Sequence, residues 1–470
     1  MNRPLTLVEA AEALRSGTVT SVRLTEEALA AADRRDGELG TYLARFDDHA
    51  LARAERADRE LAEGIDRGPL QGIPIGVKDI IAVAEGPTTA QSLVLDREWG
   101  AGRDAPVVAR LKEAGAVITG KTTTLEFACG LPDPDSPFPV PRNPWDTATW
   151  AGGSSSGSGN GIPAGLFYAG LGTDTGGSIR IPAAFCGITG LKPTFGLVPK
   201  TGVVPVSHTL DHVGPMARSA RDCAAVMDVI AGPHPGDPDG ADRPYTAPRF
   251  DGTLHGVRIG VVRAEHFPEG ADPALGPAFD AALEVMAGLG ATLVETEPPY
   301  WTEMLTVHTV TLGAEAFAYH RNDLAARWYD YSASTRTMLA AGALVSGADY
   351  VQAQRVRRVA QDAVARLFDD LDLIVCPTLA IGAPRFDDLY DDNGKVQNAW
   401  LYAFIFTMYW DCVGTPVLAA PMGTTGSGLP LSLQFAGPAF GDADVLRAAD
   451  AFQQVTDWHR RVPAPTEETP

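Results

Sequence analysis

Residues 151–194, AGGSSSGSGNGIPAGLFYAGLGTDTGGSIRIPAAFCGITGLKPT, constrain the fold of this chain more tightly than any other stretch. Two glycine/serine clusters flank a short apolar run there, so small, permissive backbone recurs on both sides of one buried element. Glycine lets backbone N–H groups converge on a point, and serine adds a nucleophile; the combination suits an oxyanion. A pair of flexible surface loops has the same composition. The second cluster, however, runs straight into IRIPAAF with no polar spacer, which argues for a place against a core.

The flanking pattern is that of an α/β chain. LTLVEAAEALRSG, ending on Gly17, and TSVRLTEEALAAADRRDGELG, ending on Gly37 or Gly40, carry Ala-, Leu- and Glu-rich interiors at helical spacing. They predict a helical arm over residues 1–65. From Leu70, LQGIPIGVKDIIAV reads as a buried strand, VVARLKEAG as a helix and AVITG as a strand. Residues 133–162, rich in Pro, Gly and Ser, read as a long functional loop. A second Pro/Gly/Asp-rich stretch at 232–252 reads as a linker or excursion within one fold, with a domain boundary as the lesser alternative. VRIGVV, ALGPAFDAALEVMAGLG and ATLVET follow it as a fresh strand, helix and strand. Periods diagnostic of repeats are absent from the sequence.

Composition narrows the functions available. A chain of 470 residues, 45% hydrophobic and 21% charged, can bury a large core as one big α/β domain or two smaller ones. Its sequence has no run of about 20 apolar residues, and MNRPLTLVEAAEALRSG lacks the apolar core of a secretory signal, so a cytoplasmic protein without a membrane partner is expected. Cys129, Cys186, Cys223, Cys376 and Cys412 are scattered without C-x-x-C spacing, which fits reduced thiols rather than zinc. A net charge of −21 would repel a phosphate backbone, so direct nucleic-acid binding is not expected.

A serine nucleophile needs a base within hydrogen-bond reach. His208 and His212 have metal-helix spacing, but Thr209 stands where a Glu is needed and Pro205 and Pro215 bracket them. Lysine is the other option if burial depresses its pKa. Lys78 in IPIGVKDII, Lys121 in VITGKTTT and Lys192 in ITGLKPT all sit in strand-like contexts, though strand-end lysines commonly reach solvent. Strict alternation puts Gly76 and Lys78 on one face and Ile75 and Val77 on the other. Pattern alone leaves the choice among the three lysines open.

GGSSSGS followed by GTDTGGSIRIPAAFCGITGLKPT resembles the signature block of the amidase signature family. The resemblance extends to GIPIGVKDI, GAVITGKTTTLEFACG, TLDHVGPMARSARDCAAVMDVIAG, LDLIVCPT and LPLSLQFAGPAFGDADVLRAADAFQQ, and so covers most of the chain. It implies a single α/β domain over 1–470, a large, mixed, twisted β-sheet covered by helices. Within it lie the arm (1–65), a signature core (66–232), the linker or excursion (233–252) and a C-terminal part (253–470). It implies Ser178 as nucleophile, Ser154 after a cis peptide bond as bridge and Lys78 as terminal base. The backbone amides of Thr175, Gly176, Gly177 and Ser178 would be the oxyanion hole, with Asp174 and Arg180 holding the turn. Neither cofactor nor metal is required. The implied activity is hydrolysis of a small-molecule carboxylic amide to acid plus ammonia or amine, and a homodimer is allowed.

The family also contains the glutaminase component of the tRNA-dependent amidotransferase, its A subunit, which serves a partner protein. SGADYVQAQRVRR within Tyr329–Asp362 partly resembles it. That component, an amide-forming acyltransferase and a silent binding protein are the competing readings. AWLYAFIFTMYW (399–410) is aromatic enough for core, or for Trp400, Phe404, Tyr409 and Trp410 to line an acyl pocket preferring aryl or apolar amides. Two further motifs mislead. GAVITGKT (115–122) matches the Walker A pattern but reads as a strand after a helix. GSSSG (153–157) matches a nucleophile elbow at Ser155, yet PRNPWDTATWAG before it reads as loop rather than the required strand.

Overall fold

The computed structural model describes residues 4–390, 401 and 404–464. Eleven of its strands form one mixed sheet. They are β1 (Tyr42–Arg45), β2 (Pro74–Lys78), β3 (Val117–Thr122), β6 (Ala169–Asp174), β7 (Thr189–Lys192), β8 (His212–Ala217), β9 (Arg258–Val261), β10 (Thr292–Glu295), β11 (Leu373–Pro377), β12 (Val417–Thr424) and β13 (Pro430–Ala436). A separate hairpin pairs β4 (Arg142–Asn143) with β5 (Asp146–Trp150).

Across the large sheet the order is β1-β3-β2-β6-β8-β7-β12-β13-β11-β9-β10. Strands β3, β2 and β6 run parallel at one end, and β11, β9 and β10 at the other. Antiparallel pairs join these two ends through β8, β7, β12 and β13. Strands on either side of residues 233–252 therefore belong to one sheet. Most sheet strands are buried along their whole length, as their near-continuous apolar runs require when helices cover both faces.

The helices are α1 (Leu7–Arg15), α2 (Ser21–Leu39), α3 (Asp47–Ala62), α4 (Pro106–Glu113), α5 (Ser156–Ala164), α6 (Arg180–Cys186), α7 (Ala220–Ile230), α8 (Leu275–Gly288), α9 (Trp301–Arg327), α10 (Ala333–Ala341), α11 (Gly347–Leu367), α12 (Met408–Val413) and α13 (Asp442–Gln454). Thr6 and Glu9 cap α1 reciprocally. Helix α2 runs through Gly37 and stops at Gly40, which takes the left-handed conformation. The first 65 residues are not helix alone: β1 lies among them and closes the sheet edge against β3.

The expectation of a long loop over 133–162 is overturned. Residues 142–150 form the hairpin, and SGSGNGIPA forms α5, buried at every position. Composition misled because glycine here answers close packing rather than flexibility. A Cβ on Gly157 would fall 2.3 Å from the Thr41 carbonyl oxygen, and one on Gly161 would fall 2.3 Å from the Phe167 ring. The Walker-like stretch contains β3, as its apolar variable positions imply. No helix among the described residues is long and apolar enough to cross a membrane.

Candidate active site

Parallel neighbours β2 and β6 pair Val77 with Leu171, so their C-terminal ends bring Lys78 beside Thr173. Ligand sites in sheets of this kind lie off the carboxyl ends of strands. Lys78 is fully buried, and its Nζ donates to Ser154 Oγ and to Thr173 Oγ1, each at 2.7 Å. The Gly153–Ser154 peptide bond is cis. Burial lowers the Lys78 pKa to about 7, overcoming the opposing field of Asp174 and Asp211. Burial thus moves the amine toward its neutral form near neutral pH.

The other two lysines are also fully buried, against the common fate of strand-end lysines, but each is held as a structural cation or donor. Lys121 lies 3.0 Å from Asp79 and donates to the Ile81 carbonyl and Thr88. Lys192, brought down to about 8 by burial, donates to the Thr415 carbonyl at 2.5 Å. Neither bonds to a serine of the signature block.

Asp174 closes the turn after β6. Its carboxylate accepts from the amides of Gly177 (2.5 Å), Ile179 (3.1 Å) and Arg180 (3.4 Å) and from the Arg180 guanidinium. Burial works to raise its pKa, but the adjacent guanidinium overrides this and holds the carboxyl well below its usual range. Arg180 also donates to Asp411 at 2.6 Å, to the Thr407 carbonyl and to Gln434. Asp174 is committed to the turn, and Arg180 ties that turn to Thr407, Asp411 and Gln434. The glycines are demanded by geometry: Gly177 has φ +127°, and a Cβ there would fall 2.1 Å from Thr407 Oγ1.

Ser154, Thr175, Gly176 and Ser178 all line one cavity of about 510 Å³, a size that admits a drug-sized ligand. Its wall is apolar: Leu125, Leu131, Trp150, Ile181, Met338 and Ile405 are typical. No Asp, Glu, Lys or Arg lines it among the described residues. Of the aromatics considered for this wall, Trp400 lies outside the described residues. Phe404 packs in the main core, and Tyr409 and Trp410 are fully buried against α9 and α11. Leu401, Ile405 and Met408 from the same stretch line the cavity instead.

Ser155, the elbow candidate, turns away from the cavity. Its Oγ donates to the Thr173 carbonyl (3.1 Å) and accepts from the Thr173 amide (3.2 Å). The stretch before it is not loop, since β5 ends at Trp150. His208 is exposed near Glu315, while His212 is buried with its Nδ1 3.2 Å from the Asp174 carbonyl oxygen. Among the described residues no cluster of His, Cys, Asp or Glu is arranged to hold a metal. Thr173, Asp211 and Thr407 contact the site and escaped sequence reading; His308, a late histidine whose surroundings give no context for a triad role, contacts it too. TLDHV and FTMYW carry no spacing that marks them.

The chain is an α/β protein whose helix-covered mixed sheet holds a buried lysine–serine pair beside a cavity at the carboxyl ends of parallel strands. The Amidase family model matches residues 23–446, and the chain belongs to that family, the amidase signature family. Among its relatives, the A subunit of the glutamyl-tRNA(Gln) amidotransferase from Roseiflexus sp. (strain RS-1) is 39% identical over 98% of each chain. A solved chain from a vestigial protein complex, described as revealing the evolutionary origins of an s-triazine catabolic enzyme, is 33% identical. Its TM-score is 0.89, covering 96% of this chain and 98% of that one. The native peptide amidase of Stenotrophomonas maltophilia is 29% identical with a TM-score of 0.83, covering 97% and 98%.

Proposed function

We propose that this chain is an amidase that cleaves small neutral amides with an aryl or other apolar acyl group through a Ser178 acyl-enzyme. The observation that carries the reading is the 2.7 Å bond between buried Lys78 and Ser154 at the edge of the cavity that Ser178 lines. Neutral Lys78 takes a proton from Ser154 as Ser154 takes one from Ser178, and the Ser178 oxygen attacks the amide carbonyl. The oxyanion rests on backbone amides of the 175–178 turn. Because the Gly177 N–H is committed to Asp174, that task falls to Thr175, Gly176 and Ser178. The relay then reverses to protonate the departing amine, and water releases the acid. The partner is the small-molecule amide, the working unit is one domain over 1–470, and the setting is cytoplasmic.

A second reading has its own support. The names of the curated relatives favour the glutaminase component of a tRNA-dependent amidotransferase over free hydrolysis. Glutamine carries a charged ammonium and carboxylate, and burying either in an apolar wall without a partner is costly. The uncharged lining that the described residues give the cavity is what favours the hydrolase for this chain. Turnover of acetamide, hexanamide, benzamide, 4-nitroacetanilide and L-glutamine, with Ser178→Ala as control, separates the readings. Benzamide or hexanamide should lead; preference for acetamide or glutamine would overturn the proposed acyl specificity.

A further inference from the structure

The Thr175 side chain and carbonyl are both held from outside the turn. The hydroxyl donates to Asp211 Oδ1 at 2.6 Å, and the carbonyl oxygen lies 3.0 Å from His308 Nε2. A carbonyl oxygen only accepts, so Nε2 carries the hydrogen. The Thr175–Gly176 peptide is a planar trans unit, in which C=O and N–H point in opposite directions. Fixing that carbonyl therefore fixes the direction of the Gly176 N–H.

We propose that His308 is a positioning residue for Ser178 chemistry, aiming the Gly176 N–H at the developing oxyanion by gripping the Thr175 carbonyl. The role rests on the acyl-enzyme reading of Ser178. His308 projects from the buried face of α9 with Met304, Val307 and Thr311, and it borders the cavity itself. A Cβ on Gly176 would fall 2.7 Å from Nε2, so glycine at 176 is what lets the imidazole reach the turn. Helix α9 is anchored to the same region at Glu315, which accepts from Ser207 Oγ (2.6 Å) and Tyr350 Oη (2.7 Å). The Ser207 amide in turn donates to Asp211, the group holding the Thr175 hydroxyl. Burial keeps the ring neutral, its pKa brought down to about 4, so it serves the turn as a dipolar donor at pH 7. With Nε2 spent on the carbonyl, that nitrogen is no base for Ser178.

The test compares wild type, His308→Leu, His308→Gln and His308→Asn on the best substrate of the amide panel. It also measures inhibition by the trifluoromethyl ketone of the same acyl group, whose adduct with serine is an oxyanion. Losing a whole oxyanion donor costs about 10²–10³ in kcat, so a misaimed one should cost roughly ten- to a hundredfold. His308→Leu should show that loss in kcat with little change in KM, and a parallel loss of affinity for the ketone. His308→Gln, which keeps a donor at similar reach, should recover most of both. His308→Asn, whose shorter amide does not reach the Thr175 carbonyl, should repeat the leucine phenotype; it decides the matter if the leucine variant does not fold, and wild-type kcat in it would overturn the role. Wild-type kcat in folded His308→Leu, a loss confined to KM, or a glutamine variant no better than leucine would overturn the positioning role. Ser178→Ala separates the failures: if it still turns over, the acyl-enzyme reading falls; if only His308→Leu keeps wild-type kcat, the positioning role alone falls.

Discussion

Removing one hydroxyl should move the pH profile of this enzyme in a direction set by Lys78. Lys78 Nζ donates to Ser154 and Thr173 at 2.7 Å, and Thr173→Val deletes the second acceptor while conserving shape. A hydrogen bond to a charged group contributes about 1.5–3 kcal/mol, and the neutral amine keeps only part of that, so the cation loses more than the base does. At about 1.4 kcal/mol per pH unit, the pKa should fall by about one unit from its value near 7. Since the relay needs neutral Lys78, kcat/KM in wild type should rise with pH through about 7 and level off above it. In Thr173→Val that rise should sit about one unit lower, making the variant relatively more active at pH 6 than at pH 8. The plateau itself should be lower, because a weaker base drives proton transfer less well. Initial rates at constant ionic strength from pH 5 to 9.5 measure both features. A limb that stays in place or moves upward would refute the assignment of that limb to Lys78.

The same burial has a cost in stability. Lys78 falls from an ordinary 10.5 to about 7, so the unfolded chain holds the extra proton between those values and stability should rise with pH across that window. Lys78→Met removes a penalty of at most about 5 kcal/mol at pH 7, offset by about 1–3 kcal/mol for hydroxyls left unpaired. The inactive variant should therefore melt higher than wild type at pH 7, and calorimetry showing a lower Tm would contradict this. Ser155→Ala should keep activity within a few-fold while losing about 1 kcal/mol of stability, checked by kcat and urea unfolding. Asp174→Asn leaves Arg180 short of a buried anion and should destabilise by about 3–5 kcal/mol, read in the same urea titration. A variant as stable as wild type would show that the turn does not depend on that ion pair.

Much of the sheet could be read from the chain because its buried strands are short apolar runs bounded by Gly and Pro. IPIGVK, AVITGKT and VRIGV are examples, and α2 ends at the glycine its pattern offered. Helix α5 was invisible for a physical reason: its glycines and serines are helix-poor by propensity, and only contacts from Thr41, Thr123, Phe167 and Pro182 demand small residues there. Strand β1 escaped because four residues at a sheet edge carry too little pattern. At the site, chemistry of single residues pointed to a serine with a depressed lysine, and resemblance chose Lys78 and Ser154 from their rivals. Three buried lysines on strands look alike in one dimension. What divides them is which partner the fold supplies, an acid for Lys121, a carbonyl for Lys192 and a serine for Lys78. Thr173 stands inside GTDTGGS and Asp211 inside TLDHVG, but nothing local marks their side chains as partners of Lys78 and Thr175, and His308 arrives from a separate helix.

The central claim is that Ser178 forms the acyl-enzyme and depends on Ser154 and Lys78 to do so. Labelling with a fluorophosphonate probe, followed by mass spectrometric mapping of the modified peptide, tests it most directly. Wild type should carry the label on Ser178, and folded Lys78→Ala and Ser154→Ala proteins should label at least a hundredfold more slowly, consistent with loss of proton transfer at a serine nucleophile. Label on Ser154 or Ser155, or undiminished labelling of Ser178 without Lys78, would contradict the account.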